Sequence, residues 1–275
     1  MLRIAVLSLI AAWAACAGRP AAPPGVRVVS LHDVTTELVV ALGAGDRLAG
    51  VIDPVDVAPE AALAIARTLR VGDLESILAA RPTIVVGLQV VADRDPELVA
   101  RLRDAGVEVY LAELTRLDDV FALAGALGAR IGEPEAGARL AGKLAADAAA
   151  LAPAPGAHRP RVFVYDCCDP PFTAGGRAVL GDLIARAGGD NVFADLGAAW
   201  AHVAWEQVVA RRPELVVIDA YAFTGQGDID DKRRAVQAIP ALAGVPTVVM
   251  PLGLVLGGIR SVDGLARLRA AIGGP

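Results

Sequence analysis

Two of the three cysteines in this 275-residue chain, Cys167 and Cys168, stand side by side in YDCCDPPFTAGG, residues 165–176. Adjacent thiols can ligate a soft metal, exchange as a redox pair, supply a nucleophile or close a disulfide across one peptide unit. Histidine, the usual companion of the metal and nucleophile roles, occurs three times: His32 in SLHDV, His158 in PGAHRP and His202 in AWAHVAWE. Imidazole and thiolate suit transition metals, so His32, Cys167, Cys168 and His202 form a candidate ligand set. No pair among them has the C-x-x-C or H-x-x-x-H spacing of a locally built site. A cysteine nucleophile needs a base and an oxyanion donor beside it, and nothing in the sequence fixes His202 as that base. His158 sits in a Pro/Gly linker and reads as an exposed, inert residue.

The start of the chain bears on the cysteines. MLRIAVLSLIAAWAACAGRP has one early Arg, an apolar run from Ile4 to Ala15 and small residues around Cys16, the form of an export signal over residues 1–17 and too short to span a membrane. Two cleavage readings compete: lipid attachment at Cys16, or cleavage after Ala15-Cys16-Ala17. Either one makes the mature protein extracytoplasmic and leaves Cys167 and Cys168 as its cysteine pair in an oxidising compartment. Two readings then stay open for the pair, a receptor for a transition metal or small metal complex ligated by His/Cys, and an exported thiol or metal-dependent enzyme. With 26 basic and 31 acidic residues the formal net charge is −5. No Lys/Arg run is long enough to follow a phosphate backbone, which excludes nucleic acid as a partner.

The elements that must position these groups alternate. VRVVSL reads as a buried strand, and DVTTELVVALG as a helix capped by Asp33 and stopped at Gly43. LESILAAR, PTIVVGL, DPELVARLRDAG, VEVYLAE and LDDVFALAGALGARIG continue the pattern, with Asp95 as the cap of the third helix. EPEAGARLAGKLAADAAAL is long, Ala-rich and free of strand signals, so it reads as one helix of about five turns. After PAPGAHRP the alternation restarts at RVFVYD, with strands expected near 191–195, 214–220 and 247–252. The expected fold is α/β: two Rossmann-like parallel-sheet lobes, 26–132 and 160–275, bridged by one long α-helix over 133–152. GAGDRLAG has Leu48 where a dinucleotide fingerprint needs its third Gly, and GDIDDK lacks the EF-hand spacing. In parallel sheets ligands collect beyond the carboxyl ends of strands, which is where His32, Cys167 and Cys168 fall.

The two halves also share a local plan. Glu75-Ser-Ile-Leu-Ala-Ala-Arg81-Pro82 aligns without a gap on Glu206-Gln-Val-Val-Ala-Arg-Arg212-Pro213, each followed by a β-branched strand. RVVSLHDVTTELVVALGAGDRLAGV, VGDLESILAARPTIVVG, DPPFTAGG, LIARAGGDNVFAD and WAHVAWEQVVARRPELVVID together resemble the cobalamin, iron-siderophore and haem family of solute-binding proteins of ABC importers. The resemblance implies a non-catalytic, monomeric receptor with no catalytic cofactor. Its metal-containing chelate ligand would bind between the lobes and pass to a dimeric ABC permease in the inner membrane. It places Glu75 and Glu206 as permease-docking acids, one per lobe, and Trp200 as a cleft aromatic suited to a corrin or porphyrin face. The chain departs from the family pattern at His32-Asp33 and at Cys167-Cys168-Asp169. The cleft expected from this comparison therefore carries His32, Asp33, Cys167, Cys168, Asp169, Trp200, His202 and Tyr221. Arg260 and the segment YAFTGQGD are further polar groups that the sequence does not place.

Overall fold

The structure, a computed structural model, describes residues 25–156, 158–220 and 229–273; Cys16 and Tyr221 lie outside them. Strands β1 (Val28–Ser30), β2 (Leu48–Val51), β3 (Leu69–Arg70), β4 (Ile84–Leu88) and β5 (Glu108–Ala112) form a parallel sheet in the order β3-β2-β1-β4-β5. A second parallel sheet has the order β11-β10-β6-β8, from β6 (Arg161–Tyr165), β8 (Asp190–Asn191), β10 (Leu215–Ala220) and β11 (Thr247–Pro251). The remaining strands, β7 (Phe172–Ala174) and β9 (Trp200–His202), pair as an antiparallel ribbon. The helices are α1 (Asp33–Ala41), α2 (Pro59–Ala64), α3 (Leu74–Ala79), α4 (Val90–Arg94), α5 (Pro96–Asp104) and α6 (Leu117–Arg130). They continue with α7 (Pro134–Ala150), α8 (Val179–Ala187), α9 (Trp205–Ala210), α10 (Ile229–Gln237) and α11 (Ser261–Gly273).

Both sheets are apolar on both faces, as parallel sheets flanked by helices must be. In β6, Val162 and Val164 join a core with α8 and α11, while Phe163 and Tyr165 point to a core containing Val208 of α9 and Val236 of α10. In β1, Val28 faces α1 and α6, and Val29 faces Ile77 of α3 and Leu102 of α5. The main seam between the lobes runs along α6 and α7. Leu117 and Val120 of α6 lie in the core of the second lobe, one or two turns before Leu123 and Leu127 of the same helix enter the core of the first. Leu144 and Ala148 of α7 join the second core, and Leu140 packs against both. The long helix expected from sequence is present, and α6 shares its bridging role. Their contact is a close one: a Cβ on Gly137 would stand 2.7 Å from the Ala124 carbonyl oxygen, and one on Gly128 would stand 2.8 Å from the Gly137 Cα.

Two local expectations need correction. Asp33 does not cap α1; the cap is His32, whose Nδ1 accepts from the Val34 amide at 3.2 Å, while Asp33 opens the first turn. The strand near 191–195 ends at Asn191, because its Oδ1 accepts from the Phe193 amide and turns the chain. Asp95 does cap α5, accepting from the Leu98 amide at 2.8 Å.

Candidate functional site

The strand order β3-β2-β1-β4-β5 reverses direction between β1 and β4, and a doubly wound sheet presents its ligand crevice beyond the carboxyl ends at such a point. His32 follows β1 and Arg94 ends the helix that follows β4, so the two flank it. A cleft of about 740 Å³ opens there, within the size of small-molecule sites, and both lobes line it. Ile52, Val55, Leu88 and Val91 supply aliphatic surface from the first lobe, and Val179, Trp200, Val255 and Leu256 from the second. Trp200 is held by its place in β9, opposite Ala174, with its ring stacked on Phe172 at 5.8 Å.

Polar groups line the cleft as well, among them the carboxylates Asp33, Asp93 and Glu113 and the arginines Arg94 and Arg177. Because Nδ1 of His32 accepts a backbone N–H, its ring proton belongs on Nε2, and the free edge is a donor. Burial, helped by the charge of Arg94 and opposed by Asp33, lowers the His32 pKa, so the ring is neutral at pH 7. Asp33 is buried in the cleft wall, its Oδ2 committed to the amides of Val55 and Asp56 at 2.8 and 2.9 Å. Arg94 is exposed to the cleft with no ion-pair partner among the described residues. Across the cleft, Arg177 pairs with Glu113 of the first lobe. Neither arginine stood out in the sequence: Arg94 in DRDPE reads as a helix boundary, and Arg177 as part of a glycine-rich turn.

The cysteines are at the end of β6, as expected, but they do not line this cleft. Cys167 and Cys168 are joined in a disulfide and so offer no thiolate. Cys167 is buried and bridges to Phe172, while Cys168 and Asp169 are exposed. His202 is exposed on β9, its ring 4.8 Å from that of Phe172 and its Nδ1 3.0 Å from the Pro170 carbonyl oxygen. Among the described residues no group of three or more His, Cys, Asp or Glu side chains is placed to hold a metal ion. The four-residue metal set is thus spread over two places. His158 is also exposed, with Nε2 3.4 Å from Glu214.

Beneath the disulfide, Asp166 and Asp219 follow an in-register pair, Tyr165 on β6 and Ile218 on β10. Asp219 is fully buried, and burial first, then the charge of Asp166, raises its pKa well above the carboxylate range against the pull of Lys232. In the window between the unfolded and the raised folded value the native state holds a proton that the unfolded chain has lost. Stability therefore falls as pH rises through that window. Asp219→Asn keeps a neutral, hydrogen-bonding group there. It is expected to leave the melting temperature at about pH 7.5 at or above the wild-type value and to flatten its decline from about pH 5 upward, measured by calorimetry.

The pseudo-repeat is structural as well as sequential. Glu75 and Glu206 are exposed in the first turns of α3 and α9, each six residues long. Each helix ends at an arginine in the left-handed region, Arg81 at φ 49° and Arg212 at φ 46°. In each lobe an arginine at the start of the first strand, Arg27 just before β1 and Arg161 opening β6, donates from Nε to that carbonyl oxygen, Arg27 to Arg81 and Arg161 to Arg212. The strand that follows pairs with the first strand of its lobe, Ile84 with Val28 and Leu215 with Val162.

Two doubly wound lobes seamed along one side and open to an apolar cleft on the other make a receptor that holds its ligand between them. Residues 28–249 match the periplasmic binding protein family, and the chain belongs to that family; it is a binding protein, not an enzyme, and the family is extracytoplasmic. The vitamin B12-binding protein of Salmonella choleraesuis strain SC-B67 is 32% identical over 195 residues, 70% of this chain and 71% of that protein. The vitamin B12-binding protein of Yersinia pestis strain Pestoides F is 28% identical over 195 residues, 70% of this chain and 69% of that protein. A periplasmic binding protein from Veillonella parvula shares the fold at TM-score 0.78 and 24% identity, over 88% of this chain and 89% of the other. The periplasmic haem-binding protein of Roseiflexus sp. RS-1 in apo form has TM-score 0.72 and 26% identity, over 89% and 98%.

Proposed function

We propose that the protein is the substrate-binding component of an ABC importer that captures a metal chelate built on a broad, flat macrocycle, of the cobalamin or haem kind, and hands it to a dimeric membrane permease. The observation that carries this reading is the cleft: about 740 Å³ walled by aliphatic side chains and Trp200, with Arg94, which has no ion-pair partner among the described residues, and the neutral His32 donor at one wall. Apolar walls suit a macrocycle face, and a few fixed donors suit its polar edge. The vitamin B12-binding relatives and the haem-binding structure support the same class of ligand. The metal then arrives inside the chelate, and the protein has no need to gather thiolates and imidazoles around it. The mature receptor works outside the cytoplasm as a monomer, after export directed by residues 1–17 and with Cys16 as the lipid attachment point if the chain is cleaved before it.

Absorbance titration of the purified protein with cyanocobalamin and with haemin tests the reading, with Ni(II), Zn(II) and Cu(II) salts as the competing ligands. One chelate is expected to saturate a single site at about micromolar Kd or tighter, some −8 kcal/mol. Trp200→Ala should weaken it by about tenfold or more, since buried aromatics carry much of such binding. Failure of both chelates to bind at about 10 µM, or tighter binding of a bare metal salt, overturns the proposal.

A further inference from the structure

Arg260, which precedes α11 in the second lobe, does not reach the cleft. It crosses to the first lobe instead, where its Nη2 stands 2.9 Å from Glu37 Oε1 on α1 and 3.3 Å from Asp56 Oδ1, and also bonds to the Asp56 carbonyl oxygen. Its Nε donates to Glu37 Oε2 at 3.3 Å. Asp56 answers from the other side: its Oδ2 accepts from the amide of Gly253 at 2.8 Å. Gly253 has no room for a side chain, because a Cβ there would fall on the Arg260 guanidinium. The side chains of Arg260, Glu37 and Asp56 are 20%, 3% and 15% exposed, so this is a shielded network, unlike the Arg177–Glu113 pair at 57% and 59%.

The network holds more than the lobes. Asp33 and Glu37 both grip the segment 53–58 by its amides, Asp33 at Val55 and Asp56, Glu37 at Ala58 at 2.6 Å. Val55 in that segment lines the cleft from the first lobe; Leu252, Val255 and Leu256, beside Gly253, line it from the second. Arg260 and Asp56 thus tie together two pieces of cleft wall from opposite lobes. Shielded charge pairs with satisfied hydrogen bonds break far less readily than solvent-exposed ones.

We infer that Arg260 is a positioning residue that latches segment 53–58 to the second lobe and thereby sets how long the cleft holds its ligand. The ligand part of this inference rests on the receptor function proposed above; the latch itself does not. Two readouts on the full mature chain separate them: amide hydrogen exchange of the unliganded protein, and stopped-flow association and dissociation of haemin and cyanocobalamin. In Arg260→Gln, exchange in segments 53–58 and 252–256 is expected to rise about tenfold or more while α6 and α7 keep their protection. Chelate dissociation should speed up about fivefold or more with association within about twofold. Asp56→Asn should do the same, and the double variant should be no worse than the more severe single, because both remove one network. Arg260→Lys reaches one carboxylate but cannot fork to both, so an intermediate effect is expected. If Arg260→Gln folds poorly, that variant decides. Unchanged exchange in both segments, or a uniform rise over the whole chain, overturns the latch. A wild-type protein that binds neither chelate sinks the receptor reading and leaves the exchange arm to decide the latch alone.

Discussion

Replacing Gly137 by valine is expected to lower the melting temperature by roughly 6–12 °C, corresponding to a loss of at least about 3 kcal/mol. The cause is backbone contact. α6 and α7 approach so closely that a Cβ on Gly137 would lie 2.7 Å from the Ala124 carbonyl oxygen, 3.2 Å from the Gly128 Cα and 3.3 Å from the Gly125 Cα. None of these is the end of a side chain that can swing away, so the helices must separate. Separation costs more here than at an ordinary helix pair, because α6 carries Leu117 and Val120 into one core and Leu123 and Leu127 into the other. The variant should therefore lose ligand affinity as well as stability, although no cleft residue changes. Gly142→Ala, on the same helix with nothing within 4 Å of the added carbon, is the control. It should hold or raise the melting temperature, since alanine is favoured over glycine in a helix by about 0.5–1 kcal/mol. A Gly137→Val protein that melts with the wild type would show that the two helices have slack the contact distances deny.

The alternation of strands and helices was legible because a parallel sheet buried on both faces leaves an uninterrupted β-branched run, as in RVFVY and ELVVI, that no amphipathic helix imitates. The shared plan of the lobes was legible for a related reason. An acid in a first helical turn and an Arg-Pro stop are short-range features, and the structure repeats them to the φ angle of the arginine. The β7–β9 ribbon was not legible, since each strand has three residues and its stability comes from Phe172, Trp200 and His202 meeting across it. Nor was the separation of the cysteines from the cleft. Sequence places Cys167 and Cys168 at the carboxyl end of β6, but past the last paired residue the alternation of faces no longer tells which way a side chain points. The latch is the extreme case, with Asp56 and Arg260 204 residues apart and joined by no local pattern. The sequence showed Arg260 only as a polar group it could not place.

With Glu75 and Glu206 proposed as permease-docking acids, the charge reversal Glu75→Lys with Glu206→Lys is expected to abolish permease-coupled uptake while leaving the affinity for the chelate unchanged. The two-sided geometry argues for this pair. The seam runs along the faces covered by α6 and α7, where Leu114, Leu140, Leu256 and Ile259 pack against the cores of both lobes. Glu75 and Glu206 belong to α3 and α9, which cover the opposite faces, and the cores beneath those helices share no residue among those described. In a parallel sheet a helix leading into a strand starts at the carboxyl edge, so both acids stand at the rim where the cleft opens. Matching local structure around each acid, down to Arg27 on Arg81 and Arg161 on Arg212, would present two equivalent surfaces to the dimeric permease proposed above. Truncating or reversing a charge in a desolvated interfacial pair costs about 2 kcal/mol or more. Each single variant should then lose about thirtyfold in docking affinity and the double about a thousandfold. Transport into proteoliposomes carrying the permease, measured alongside chelate titration, separates the outcomes. Loss of chelate binding would move the acids into the cleft. Uptake undiminished in the double variant would leave them with no role beyond the favourable charge each places at its helix N-terminus.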